Sequence, residues 1–154
     1  PHTLLNKTLK LLGFKQDISF EIIELIKKLR LSQHFHFNNF TTDFNKIYSN
    51  QNILCFTSLL DSPGRPVFEA AHFKVPSILA VSQPMNDTFI NGVTGLTYVS
   101  TNYKDLAQKI MYLYDNPKIC KEMGKNAFLL ANTNFNQTVN SNKVLKLYQK
   151  TLRT

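Results

Sequence analysis

Apolar residues along this chain recur with two periods. Residues 53–57 (ILCFT) and 76–81 (PSILAV) are short, nearly unbroken apolar runs, the pattern of strands buried on both faces. Residues 8–13 and 35–38 predict two further short strands, and residues 96–99 another, after a glycine turn at 91–95. Between these runs the spacing changes to three and four. Ile22, Ile23, Leu25, Ile26 and Leu29 place one apolar face on a helix over 19–31, with Asp17 or Ser19 as its cap. Residues 44–48 predict a short helix after Thr41 and Thr42. Pro66 opens a helix running to about Phe73, because proline has no N–H to leave unpaired at a first helical position.

The last third is helical throughout. Asn102 and Asp105 have the spacing of a capping box, and Leu106, Ile110 and Leu113 form the buried stripe behind it. Asn116-Pro117 starts a second helix, carried by Ile119, Met123, Ala127 and Leu130. Val144, Leu145, Tyr148 and Leu152 predict a final amphipathic helix. Strands alternating with helices imply an α/β layer with a parallel sheet. Ligands of such sheets sit at the carboxyl ends of the strands, which here selects the loops after Phe37, Thr57 and Val81.

Composition narrows the class. At 154 residues, with 43% hydrophobic and 18% charged residues, the chain suits one globular domain. No apolar run approaches the roughly 20 residues of a membrane-spanning helix, and no signal peptide pattern opens the chain. A first residue other than Met leads us to expect a piece of a longer protein. Cys55 reads as a small core residue and Cys120 as a helix residue. Two isolated cysteines suit a reducing, cytoplasmic setting. The net charge of +8 invites a nucleic-acid reading. The basic residues are scattered or lie on helix faces, at Lys27, Lys28 and Arg30 and at Lys118, Lys121 and Lys125, so we expect no nucleic-acid partner. Approach to an anionic membrane surface stays open.

The chemistry concentrates in residues 61–69, DSPGRPVFE. Pro63 and Pro66 stiffen this loop, and Gly64 admits close approach of a ligand to the backbone. A helix N-terminus beyond it offers amides and a positive dipole end to oxygen-rich groups. A carboxylate accepts from two neighbouring hydroxyls at once. Asp61 and Glu69 beside such donors suit a polyhydroxylated ligand that carries phosphate, and a nucleotide sugar is that kind of molecule. A structural reading competes: Asp61 as a turn residue, and Glu69 as a first-turn acid stabilised by the dipole. His34 and His36 in a strand, and His72 on a helix, read as structural or solvated. No metal-ligand spacing occurs.

The stretch DSPGRPVFEAAHFKVPSI, followed by NGVTGL, resembles the donor-binding half of retaining glycosyltransferases of the GT-B fold, in particular glycosyltransferase family 4. That family shows acid-Gly-Phe-Gly-Arg, a second acid closing a Glu-x7-Glu spacing, then Ala, a small residue, Pro, an apolar strand and Asp-Gly-x-x-Gly. The resemblance covers about residues 34–150 and includes Lys104-Asp-Leu-Ala, Asp115-Asn-Pro and Met123-Gly-Lys-Asn-Ala near the end. It implies a Rossmann-like parallel sheet with flanking helices, the C-terminal half of a GT-B fold. It implies that residues 1–154 are a nucleotide-sugar donor-binding domain, N-terminally truncated, lacking its first strand and the acceptor domain, and inactive alone.

The resemblance also implies roles. Asp61 would contact the hydroxyls of the transferred sugar near the reacting carbon, as the catalytic position. Glu69 would bind the ribose diol. Ser62, Pro63, Gly64 and Arg65 would face the donor sugar and diphosphate, with Val67 near the ribose. Phe40 falls where the family places base contacts. Gln83 with Pro84 aligns with a Gly-Gly loop, and Asp87 with the acid after it. Two departures stand out: the first acid is Asp, one methylene shorter than Glu, and nothing matches the family's diphosphate-binding Arg and Lys, since Lys10 and Lys15 fit poorly. The implied function is transfer of a sugar, with retention, from a nucleotide sugar to a carbohydrate or lipid-linked acceptor hydroxyl in polysaccharide or glycolipid synthesis, with no cofactor or metal, since the nucleotide sugar is the substrate. The setting would be cytoplasmic, with a peripheral place at the inner face of the membrane left open. A non-catalytic nucleotide- or sugar-binding module, or a basic interaction domain, remains an alternative.

Overall fold

The computed structural model of this protein describes residues 18–82 and 86–152. The chain divides into two units, Pro1–Phe40 and Thr41–Thr154. In the first, helix α1 spans Ile18–Lys28. Ser19 lies within it and does not cap it; Asp17 and the strand expected at 8–13 lie outside the described residues. The helix stops earlier than its apolar spacing suggests. Arg30 takes a left-handed conformation (φ 58°), its N–H bonding Lys27 O while the N–H of Leu31 bonds Ile26 O. That reciprocal pair closes the helix end although the left-handed residue is not glycine. A single 3-10 turn, Ser32–His34, follows. The strand expected at 35–38 is not formed. Phe35 is extended (φ −121°, ψ 128°), but no ladder partner joins it among the described residues, and extended backbone alone is not a strand. His34 and His36 are exposed.

The second unit holds the sheet. Helix α2 (Phe44–Tyr48) is capped by Asp43, whose side chain accepts from the N–H groups of Asn45 and Lys46; Thr41 instead accepts from the Asp43 N–H. Strands β1 (Leu54–Phe56), β2 (Ser77–Leu79) and β3 (Gly95–Thr97) form a parallel sheet in the order β1-β2-β3. The register pairs Cys55 with Ile78 and Ile78 with Leu96. Helix α3 (Arg65–His72) connects β1 to β2. It begins one residue before Pro66, with Gly64 as N-cap. Helices α4 (Tyr103–Asp115), α5 (Pro117–Asn134) and α6 (Gln137–Thr151) follow β3.

Successive residues of β2 point to opposite faces, as in any strand, and each meets a different helix layer. Ile78 packs with Ala80, Tyr98, Leu113 and Met123, the side of α4 and the first half of α5. Leu79 packs with Val67 of α3, Val81 and Phe89. Ile78, Leu79, Phe89 and Leu113 are all at most 1% exposed, and such burial stabilises by roughly 1.5–3 kcal/mol per large side chain. Helix α3 meets the second half of α5 through Ala71, Ala127 and Ala131. Gly124 completes this approach. A Cβ there would overlap the Lys74 carbonyl at the end of α3, where Lys74 holds a left-handed turn (φ 61°). Any larger residue would push α5 away.

Three expectations change in this unit. Cys55 is exposed rather than in the core, because β1 is the edge of the described sheet and its burial alternates. Asp105 does not close a capping box on Asn102: Asn102 Oδ1 accepts from the Asp105 N–H, but Asp105 Oδ2 accepts from Val99 N–H at 2.7 Å and so ties α4 to the end of β3. Helix α6 buries no residue. Val144, Leu145, Tyr148 and Leu152 are 48–87% exposed, so its apolar face exists as a pattern without a cover among the described residues.

Candidate functional site

The loop after β1 bends back across the end of β1 itself. Gly64 has an ordinary extended backbone (φ −81°, ψ 167°), and its need for glycine is steric: a Cβ would overlap the Phe56 ring. This contact presses the Pro63–Pro66 turn onto the sheet. No side chain caps the first turn of α3, which leaves its dipole end to whatever occupies the loop. Ser62 is held locally, its N–H on Leu60 O and its hydroxyl on Pro63 O.

Asp61 is exposed, yet its carboxylate is fixed. Oδ1 accepts from the Ser82 N–H at 2.8 Å and Oδ2 from the Ser82 hydroxyl at 2.5 Å. These two bonds, the hydroxyl's first, hold the carboxyl below the usual carboxylate range. Ser82 follows β2, so the bond joins the loops at the carboxyl ends of neighbouring strands. Beside it opens a cleft of about 660 Å³, whose walls include Asp61, Ser82, Tyr98, Ser100, Asp105 and Lys109. Lys109 Nζ lies 3.7 Å from Asp105 Oδ1. This is the strand-end crevice expected of a parallel sheet.

Glu69 stands on α3 in a separate hydrogen-bond set. It lies in the second turn, with no acid in the first, so a first-turn dipole role does not account for it. Oε2 accepts from the Tyr48 hydroxyl at 3.0 Å, and Oε1 lies 3.4 Å from Arg65 Nε. Arg65 is exposed, with 86% of its side chain accessible, whereas 22% of the Glu69 side chain is. Tyr48 is buried among Ala70, Val75 and Phe73. Burial first, then the bond to Glu69, pushes its pKa from 10.0 to about 12.

The remaining expected residues spread out. Val67 is 4% exposed and packs on Leu79, Val81 and Phe89; it supports the site from within the core. Asp87 is exposed, and its carbonyl accepts from Asn134 Nδ2 at 2.7 Å. Gln83 lies outside the described residues. Phe40 belongs to the first unit and is 94% exposed. His72 is exposed. Sequence reasoning missed Tyr48 and Ser82. Each partners an acid 21 residues away, and no local pattern announces such a pairing.

The fold has relatives among solved structures. HepE from Anabaena, crystallised with UDP and glucose, superposes with a TM-score of 0.78 at 19% identity, over 86% of this chain and 36% of that one. A glycosyltransferase from Rickettsia africae gives 0.79 at 24% identity, over 88% and 37%. The C-terminal domain of the group 1 glycosyl transferase LpcC from Francisella tularensis gives 0.67 at 21%, over 77% and 63%. The chain thus spans about a third of the length of the first two. Such identities establish the fold, that of the C-terminal domain of GT-B glycosyltransferases. No curated protein matches the sequence. The family description "glycosyl transferases group 1" matches residues 6–130, starting well upstream of the motif resemblance, and with four-fifths of its length inside that match the chain belongs to the group 1 glycosyl transferases.

Proposed function

We propose that this domain binds the nucleotide-sugar donor of a retaining glycosyltransferase, with Glu69 on the ribose diol and Asp61 on the hydroxyls of the transferred sugar. The observation that carries the reading is that the two acids of one motif flank the start of α3, each anchored by hydrogen bonds that leave acceptor sites free. A carboxylate has about four acceptor sites. Ser82 takes two from Asp61, and Tyr48 takes one from Glu69, with Arg65 near the other oxygen.

In the reaction, the bond from the anomeric carbon to the diphosphate breaks while the acceptor oxygen bonds to the same face and gives its proton to the departing diphosphate. The chain's part is orientation. Ser82 holds Asp61 aimed at sugar hydroxyls, and the amides at the start of α3 face the diphosphate. Acceptors would be carbohydrate or lipid-linked hydroxyls in polysaccharide or glycolipid synthesis. No cofactor is needed for these roles, and the net positive charge of +8 favours work beside an anionic membrane face. UDP and UDP-glucose occupy the HepE structures, which supports a donor of this class.

The test uses the full-length protein. Asp61→Ala is expected to keep nucleotide affinity and to lower transfer by about 100-fold, on the scale of lost substrate positioning. Glu69→Ala is expected to weaken nucleotide binding about tenfold. Unchanged binding in the Glu69 variant sinks the ribose assignment. Binding without transfer in the native protein points to a non-catalytic module instead.

A further inference from the structure

We infer that Tyr48 is a positioning residue for Glu69: its buried hydroxyl sets the carboxylate in advance, so that Oε1 and one site of Oε2 face an incoming vicinal diol. This inference rests on the donor-binding reading given above.

The two partners of Glu69 are unequal. Arg65 approaches Oε1 at 3.4 Å from an exposed side chain, so a ligand can displace it at little cost. Tyr48 cannot leave. It is 5% exposed, and its ring lies 5.6 Å from that of Phe73, within a cluster that includes Ala70, Val75 and Leu54. Its hydroxyl reaches Glu69 Oε2 at 3.0 Å. A buried tyrosine hydroxyl requires a partner, and here the partner is the one acid on α3. The phenol is protonated through the neutral range, as any tyrosine is, so it donates to the carboxylate. A glutamate on an exposed helix surface loses rotamer freedom when it binds a ligand. With Oε2 already held, most of that loss precedes binding, which is preorganisation in the ordinary sense.

The geometry also separates a positioning role from a purely structural one. If Tyr48 merely filled the core, removing its hydroxyl would affect every ligand alike. If it aims Glu69, the loss is confined to ligands that carry the diol.

The experiment is calorimetric titration of the full-length protein and its Tyr48→Phe variant. UDP, GDP and ADP are each compared with the 2′,3′-dideoxy counterpart, using whichever parent binds. Removing the diol should weaken binding to the native protein by about tenfold. Tyr48→Phe should weaken the parent nucleotide by about five- to tenfold while leaving the dideoxy affinity unchanged, and turnover at saturating donor should stay near native. A second comparison places Tyr48→Phe in a Glu69→Ala background, where it should add no further loss. Equal weakening of both nucleotides, no weakening of either, or an added loss in the Glu69→Ala background overturns the inference. If the native protein does not distinguish parent from dideoxy nucleotide, the ribose assignment of Glu69 falls first, and Tyr48 has no diol to serve.

Discussion

The two acids of residues 61–69 are anchored in opposite ways. Glu69 is part of a helix, and the group that holds it, Tyr48, is a buried core residue. Asp61 is part of an exposed loop, and the group that holds it, Ser82, sits on another exposed loop. One anchor is therefore as rigid as the core. The other is a clasp between two loops at strand ends, of the kind that can rearrange around a substrate. The contrast matches the roles proposed for them. A ribose is a constant part of the donor and suits a fixed acceptor. The transferred sugar passes from donor to acceptor, and the carboxylate near it benefits from a partner that can yield. The missing methylene of Asp61 fits this picture, since the shorter acid lies within reach of both donors of Ser82.

The sharpest way to break the contrast is Gly64→Val. Gly64 stands between the acids, and the added branch collides with the Phe56 ring. The loop and Asp61 should shift while α3, packed through Val67, Ala70 and Ala71, keeps Glu69 in place. Transfer should fall by about 100-fold, while affinity for the nucleoside monophosphate, which lacks the diphosphate that the start of α3 faces, changes by less than about threefold. Equal losses in both would mean that loop and helix move as one body.

Ser82→Ala should have a smaller effect, lowering turnover by about tenfold. It also carries a pH signature. The Ser82 hydroxyl is the first cause of the lowered pKa of Asp61, so the native carboxylate stays ionised further into acid. Without that hydroxyl the acid limb of the turnover profile should move upward in pH. An acid limb that does not move would separate Asp61 from the step being measured.

On the rigid side, Tyr48→Phe should alter alkaline stability. The folded-state pKa of Tyr48 is raised from 10.0 to about 12. The stabilisation this represents is complete below pH 10 and is lost as pH rises toward 12. The native protein should therefore lose melting temperature over that window more steeply than Tyr48→Phe, as followed by circular dichroism. The smallest effect is expected of Arg65→Ala. An exposed ion pair at 3.4 Å contributes about 0–1 kcal/mol, so thermal stability should barely change.

Local pattern carried the architecture a long way. The apolar run at 76–81 is the fully buried strand it predicts, and Ile119, Met123 and Ala127 lie on the packed face of α5. Pro66 and Pro117 stand in the first turns of their helices. Periodicity reports which residues share a face, and side-chain chemistry reports where a helix can begin. The order DSPGRPVFEAA, VPSI, NGVTG was enough to indicate the family, because motif order survives where overall identity has fallen to about a fifth in the solved relatives.

What local pattern left undecided depends on neighbours. Residues 35–38 have strand chemistry but no strand, since a ladder needs a partner. Cys55 lies in an apolar run but at a sheet edge, where burial depends on what stands alongside. Helix α6 has an apolar stripe that nothing among the described residues covers. The partners of the two acids belong to the same class. Tyr48 precedes Glu69, and Ser82 follows Asp61, by 21 residues in each case. Only the docking of α2 and α3 against the parallel strands β1 and β2 brings each pair within hydrogen-bond reach. Hydrogen bonds act over about 3 Å, a distance set by tertiary packing rather than by any spacing along the chain.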